Sequence, residues 1–208
     1  MKNIVLINKR VEGCVLSLTR SMMEVHDPYT VFHQDDAAEV AIYIAHKLKL
    51  TEIEISKIST AAYLHDIGKA AIPISILSKP AKLTEIEFSL VKCHVNIGVD
   101  MLRKIDFDSE VIRYIEEHHE RLDGSGYPNQ LVGDQISLAG QILAVADTVS
   151  ALSAKRTYRN SKTSEQIKEI LLGEIPHKLN EDAVCAAIQY LDIAVDKNPF
   201  KGKSKELV

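Results

Sequence analysis

Tryptophan is missing from this 208-residue chain, and aromatic residues make up only 5% of it. A core this poor in rings must be built from Leu, Ile, Val and Ala. Positive charge is in short supply: 25 Lys and Arg face 29 Asp and Glu, for a formal net charge of −4. Without a broad cationic surface the chain is not read as a nonspecific binder of nucleic-acid polymers. A small phosphate ligand, held by a few well-placed cations, stays open. Cysteine is scarce and scattered; Cys14, Cys93 and Cys185 form no CxxC pair. They read as reduced thiols rather than a disulfide framework. Long apolar runs are absent too. The opening MKNIVLINKR holds four consecutive apolar residues, Ile4 to Ile7, too few for a signal-peptide core, and nothing approaches membrane-spanning length. The expectation is a cytoplasmic protein without a membrane span.

The hydrophobic fraction of 46% is ordinary for a globular domain, and its pattern is helical. Ala37, Ala41, Ile44, Ala45 and Leu48 share one helix face. Thr51 with Glu54, Thr84 with Glu87 and Thr163 with Gln166 are capping-box pairs ahead of further apolar stripes. Asp108 and Asn180 can cap two more helices, and Leu138, Ile142, Val145, Val149 and Leu152 mark a longer one. No convincing strand, hairpin dipeptide or repeat interrupts them. The expected fold is all-α: an N-terminal extension over residues 1–27, helical or a linker; a single bundle domain over 28–195; and a polar tail over 196–208. Loops are expected at Ala71–Leu83 and Gly124–Gly133.

The chemistry lies in histidines and aspartates. Divalent metals favour imidazole nitrogen and carboxylate oxygen, which helices can aim inward from several directions. The candidates are His33, His65, Asp66, His94, His118, His119 and Asp147. His118 and His119 extend the Val111, Ile112, Ile115 stripe and should face the core. Asp147 shares a face with Gly140, Ala144 and Ala151, where a buried carboxylate would be costly without a cation. His26, His46 and His177 show no partner pattern and read as surface residues; Cys93 reads as a small core filler.

In combination the motifs are specific. HDIGK at residues 65–69, Ile72-Pro73, HHERLDGSGYP at 118–128 and ILAVADTVSALSAKRTYR at 142–159 resemble the HD-GYP family of HD metal-dependent phosphohydrolases. The resemblance runs from about Tyr29 to about Leu191. It implies an HD-type helical bundle with its metal centre in the core. The implied activity is hydrolysis of cyclic di-GMP to 5′-pGpG, with onward hydrolysis to GMP left open. It implies two divalent ions, iron first, with manganese, zinc or nickel as alternatives. His33, His65, Asp66 and Asp147 would hold one ion; Asp66 would bridge to a second held by His94, His118 and His119. A glutamate that supplies a third site in some members is Tyr29 here. Asp66 and Lys69 take the catalytic positions, and Lys69, Arg156, Arg159, Gly126 and Tyr127 the substrate-binding ones. The Gly126-Tyr127-Pro128 loop would also meet GGDEF-domain partners, and a homodimer is compatible with the family. Asp36, Gln141 and Val149-Ser150 depart from the family pattern without touching a ligand position. These departures keep two further readings open: a cyclic-dinucleotide sensor or interaction module with weak turnover, and a phosphodiesterase for another cyclic dinucleotide such as cyclic GMP-AMP.

Overall fold

The structure is a computed structural model that describes residues 2–154 and 161–197. Among these residues it is all-α. Ten helices follow one another: α1 (Lys2–His26), α2 (Pro28–Lys47), α3 (Glu52–Leu64), α4 (Ile74–Leu77), α5 (Glu85–Lys92), α6 (His94–Arg103), α7 (Ser109–Glu117), α8 (Leu138–Ser153), α9 (Ser164–Glu174) and α10 (Glu181–Lys197). Two 3-10 turns, Ile67–Ala71 and Gly133–Gln135, complete the backbone, and an isolated bridge joins Asp123 to Val132.

Local chemistry sets most helix starts. The hydroxyls of Thr51, Thr84 and Thr163 each accept from the backbone N–H three residues on, and Glu54, Glu87 and Gln166 reach back to complete the box. Asp27 caps α2 ahead of Pro28, Asp108 accepts from Glu110 N and Val111 N, and Asn180 accepts from Ala183 N. Proline at the first helical position costs α2 nothing, because that N–H has no intrahelical partner.

Helix α8 lies at the centre. Its run Ile142 to Asp147 is buried without interruption, and α2, α3, α7, α9 and α10 pack around it. Such a helix is apolar on nearly all sides, so the one carboxylate in that run, Asp147, is conspicuous. Helices α2 and α3 pack on one another, and their Ala37, Ala38, Ala41, Ala45, Ala61 and Ala62 are all fully buried. Alanines here let the backbones come close, which brings the end of α3 beside α2 and α8.

The turn after α3 is held against α6 by glycine. A Cβ on Gly68 would lie 1.9 Å from the His94 carbonyl oxygen, so only glycine fits there. The stretch expected as a loop over Ala71–Leu83 contains the short helix α4, one turn that Pro73 begins. Cys93 is exposed at the α5–α6 junction and is not a core filler. His26 is half-buried rather than a plain surface residue; its Nε2 lies 3.2 Å from the Ile72 carbonyl oxygen. His46 and His177 are exposed, as expected.

Candidate metal centre

Five segments deliver polar side chains to one buried point. His33 comes from α2, His65 and Asp66 from the end of α3, His94 from the first position of α6, His118 and His119 from the residues just after α7, and Asp147 from α8. His65 and His118 are wholly buried, and Asp66 and His94 are nearly so. His33 Nε2 lies 2.9 Å from Asp147 Oδ1 and 3.8 Å from Asp66 Oδ2. His65 Nε2 lies 3.4 Å from Asp66 Oδ2 and 3.7 Å from Asp147 Oδ1. The other oxygen of Asp66, Oδ1, faces His94 Nε2 at 3.3 Å. His119 Nδ1 is 3.6 Å from Asp147 Oδ2. Two groups have donor atoms mutually within 4.8 Å: His33 with His65 and Asp66, and His94 with His118 and His119. The carboxylate of Asp66 lies between them.

The protonation pattern follows from the surroundings. His65 Nδ1 sits 2.7 Å from Ala62 O, His94 Nδ1 2.7 Å from Val91 O, and His118 Nδ1 2.5 Å from Ile115 O. A carbonyl only accepts, so each Nδ1 carries the hydrogen and donates it. In its neutral form each ring then points a bare Nε2 lone pair into the centre. His33 is fixed by a different route. Ser150 donates its single hydroxyl hydrogen to His33 O at 2.8 Å, so its oxygen accepts from His33 Nδ1 at 2.7 Å. In its neutral form His33 likewise turns an Nε2 lone pair toward a carboxylate, 2.9 Å from Asp147 Oδ1.

Acceptors thus face acceptors. His65 Nε2, His94 Nε2, His118 Nε2 and Asp66 Oδ1 are buried with no hydrogen-bond partner among the described residues. Orphaned atoms of this kind are rare in folded proteins because each forfeits its hydration. A cation removes the conflict, and imidazole with carboxylate is the donor set that Fe, Mn, Zn and Ni accept. The residues fit a divalent metal centre, and the Nδ1 contacts are the outer hydrogen bonds that orient metal-binding histidines.

The ionisation preferences agree. Burial, reinforced by neighbouring imidazoles, holds His118 down at about 3 and His119 well below its ordinary value. Burial also lowers His94. His65 is pulled the other way: burial opposes charge on it, but Asp66 and Asp147 outweigh that and raise its pKa. For Asp66, burial favours the neutral acid, yet Lys69, His65 and His94 keep it well below the carboxylate range. For Asp147, burial is likewise overcome by His33, His119 and His65. The centre therefore presents carboxylates and mostly neutral imidazoles, the forms that ligate.

The HD domain family model matches residues 17–177. The chain belongs to this family, in its HD-GYP branch. It is 44% identical over 142 residues to 3′3′-cGAMP-specific phosphodiesterase 2 of Vibrio cholerae, covering 65% of this chain and 27% of that one. It is 41% identical over 157 residues to the cyclic di-GMP phosphodiesterase response regulator RpfG of Xanthomonas campestris, covering 72% of this chain and 40% of that one. The chain spans less than half the length of these curated relatives. Among solved structures, Bd1817, an HDG"Y"P protein from Bdellovibrio bacteriovorus, superposes with a TM-score of 0.66 at 22% identity. That match covers 77% of this chain and 51% of Bd1817, and it speaks for the fold.

Around the HD-GYP centre, Lys69 is drawn in by the 3-10 turn, its Nζ 2.5 Å from Asp66 Oδ2. The Tyr127 ring lies 4.6 Å from the His119 ring, centroid to centroid, tilted by 32°. Gly126 is buried; a Cβ there would stand 2.4 Å from Glu120 Cα, so glycine lets the loop lie on the chain after His119. Arg156 and Arg159 lie outside the described residues.

The roles of two residues at the centre escaped the sequence reading, and Ser150, expected only as a departure from the family pattern, touches the ligand candidate His33. Glu120, 1% exposed, accepts from Asn129 N at 2.6 Å and Leu131 N at 3.0 Å, which ties the GYP loop down. Its position directly after two ligand candidates was the available signal. Ser150 orients His33, but nothing in the sequence around it marks a hydroxyl as the partner of a histidine 117 residues away.

Proposed function

We propose that this chain is a metal-dependent phosphodiesterase that opens cyclic di-GMP to 5′-pGpG. The observation that carries the reading is the set of buried, unpartnered Nε2 and Oδ1 atoms converging about Asp66. His33, His65, Asp66 and Asp147 would hold one divalent ion; His94, His118 and His119, with the second oxygen of Asp66, would hold another. Such ions, when bound, supply Lewis acidity toward phosphoryl oxygen and ease the ionisation of water. Iron is the first expectation, with manganese, zinc or nickel compatible with the same ligands.

The chain's own groups do the rest. Asp66, kept ionised by Lys69 and the flanking imidazoles, joins the two ligand clusters. Lys69 places a cation beside the point where negative charge grows on the phosphoryl group, the placement that lowers a barrier most. Tyr127 stays protonated, because burial and then Asp147 and Asp66 push its phenol upward, so its hydroxyl can donate to a substrate oxygen. Water adds to phosphorus, the bond to the 3′ oxygen breaks, and that oxygen receives a proton.

A second reading, cleavage of 3′3′-cyclic GMP-AMP, is favoured by the 44% identity to the Vibrio cholerae relative named for that substrate. Purified chain reconstituted with iron(II) or manganese and offered both dinucleotides decides between them. The proposal requires pGpG from cyclic di-GMP, lost in Asp66→Ala. Exclusive cleavage of the mixed dinucleotide selects the second reading, and tight binding without product under either metal leaves a sensor. No helix among the described residues is long and apolar enough to cross a membrane; action in the cytoplasm, pairing with a second copy and contact with GGDEF domains at the GYP loop complete the proposal.

A further inference from the structure

Lys92 closes α5, two residues ahead of His94. Its ammonium lies 4.8 Å from the centroid of Phe88, one helical turn back, and 5.3 Å from the centroid of Tyr127 in the GYP loop. Tyr127 in turn packs on His119. A continuous path therefore leads outward from the candidate metal centre: His119, Tyr127, Lys92, Phe88. Lys92 makes no ion pair among the described residues, whereas Lys69 pairs with Asp66 beside the metal centre. Phe88 is 46% exposed, and no residue of α5 is buried, so its ring serves no core.

A cyclic dinucleotide brings two phosphates and two bases, and only one phosphate can occupy the metal centre. The other needs cations a short distance away, to which Lys92 would add beside the substrate positions Arg156 and Arg159 that lie outside the described residues, and its base needs a flat apolar face; exposed aromatic rings stack bases regardless of sequence. We propose that Lys92 receives the phosphate that is not cut and that Phe88 stacks the adjoining base. This makes the pair a recognition point for dinucleotides as opposed to simple phosphodiesters. The inference rests on the phosphodiesterase reading above for its substrate class. The cation is free to leave the ring faces for a phosphate, because exposed cation–π contacts hold it only weakly while a charge-assisted hydrogen bond to phosphate is stronger.

The test compares wild type, Lys92→Gln, Lys92→Arg and Phe88→Ala, all manganese-loaded, on cyclic di-GMP and on bis(p-nitrophenyl) phosphate, which has one phosphate. Calorimetric titration with cyclic di-GMP and with pGpG accompanies it. Expected for Lys92→Gln is a rise of about tenfold or more in KM for the dinucleotide and in the Kd for pGpG. Its kcat should stay within about twofold and its action on the simple diester unchanged, and Lys92→Arg should recover most of the loss. Phe88→Ala should raise the same KM with no change on the simple diester. Equal losses on both substrates would show that Lys92 only props Tyr127, and an unaltered KM and Kd would remove it from recognition; either overturns the proposal. If wild type binds the dinucleotide without cleaving it, the phosphodiesterase reading falls while weaker binding by Lys92→Gln still supports the recognition point. If wild type neither binds nor cleaves, both fall.

Discussion

At the scale of single residues the centre is a problem of unmatched acceptors. Asp66 is almost wholly buried, one oxygen toward His33, His65 and Lys69 and the other toward His94. Lys69 offsets part of that charge without being aimed at a histidine cluster, so its loss and the loss of a ligand should separate. Lys69→Ala is expected to lower kcat about 100-fold while metal content by elemental analysis stays at the wild-type value. Metal lost together with activity would recast Lys69 as part of the ligand scaffold. Ser150 offers a subtler case, since it fixes His33 through two hydrogen bonds. Ser150→Ala should weaken metal retention about 10- to 100-fold in chelator competition, with no comparable change in folding. Five of the seven ligand candidates, His65, Asp66, His118, His119 and Asp147, were legible in the sequence because they fall inside specific motifs. Ser150 and Glu120 were not, because a hydroxyl or carboxylate that orients a distant residue leaves no periodic trace.

At the scale of elements, the helices were legible where their ends are written in side chains. Thr51, Thr84, Thr163 and Asp108 all cap as their spacing implies. Helix α4 was missed because four residues between prolines are too few to show a period. The close packing of the turn after α3 onto α6 was also invisible, since it depends on what a missing Cβ permits. Gly68→Ala should drive that turn away from His94, costing about 1–3 kcal/mol by overpacking and pulling Asp66 and His94 apart. Thermal unfolding and metal content should fall together; a stable variant with full metal would mean that the turn can shift without cost. The GYP loop is held differently, by a buried carboxylate instead of by fit. Glu120→Ala leaves the N–H groups of Asn129 and Leu131 without their acceptor, at a cost of about 1.5–3 kcal/mol. Its activity should suffer through KM, because Tyr127 loses its seat on His119 before any ligand moves.

At the scale of the molecule, burying this much polar chemistry without its cation is a standing cost to the fold. A ligand that binds only the folded chain stabilises it by mass action, so chelation should lower the thermal midpoint and manganese should restore it. Acid should act in the same direction as chelation. His118, held down to about 3 when folded, and His94 and His119, also lowered, take up protons more readily in the unfolded chain. Stability that is complete above the ordinary imidazole value of about 6.5 is therefore lost progressively as pH falls toward the folded values. Asp66 and Asp147, both lowered, extend that loss below the carboxylate range. His65 is raised and works against the trend, but alone. Urea unfolding of the chelated protein at pH 7 and pH 5.5 should show the lower midpoint at pH 5.5. A higher one would mean that the imidazoles are charged in the fold. The most direct test of the whole account is a metal count: elemental analysis of the fully reconstituted chain beside Asp66→Ala. Two ions per chain, falling to one or none in the variant, is the predicted result. No bound metal in the wild type, or an equal count in the two proteins, would contradict it.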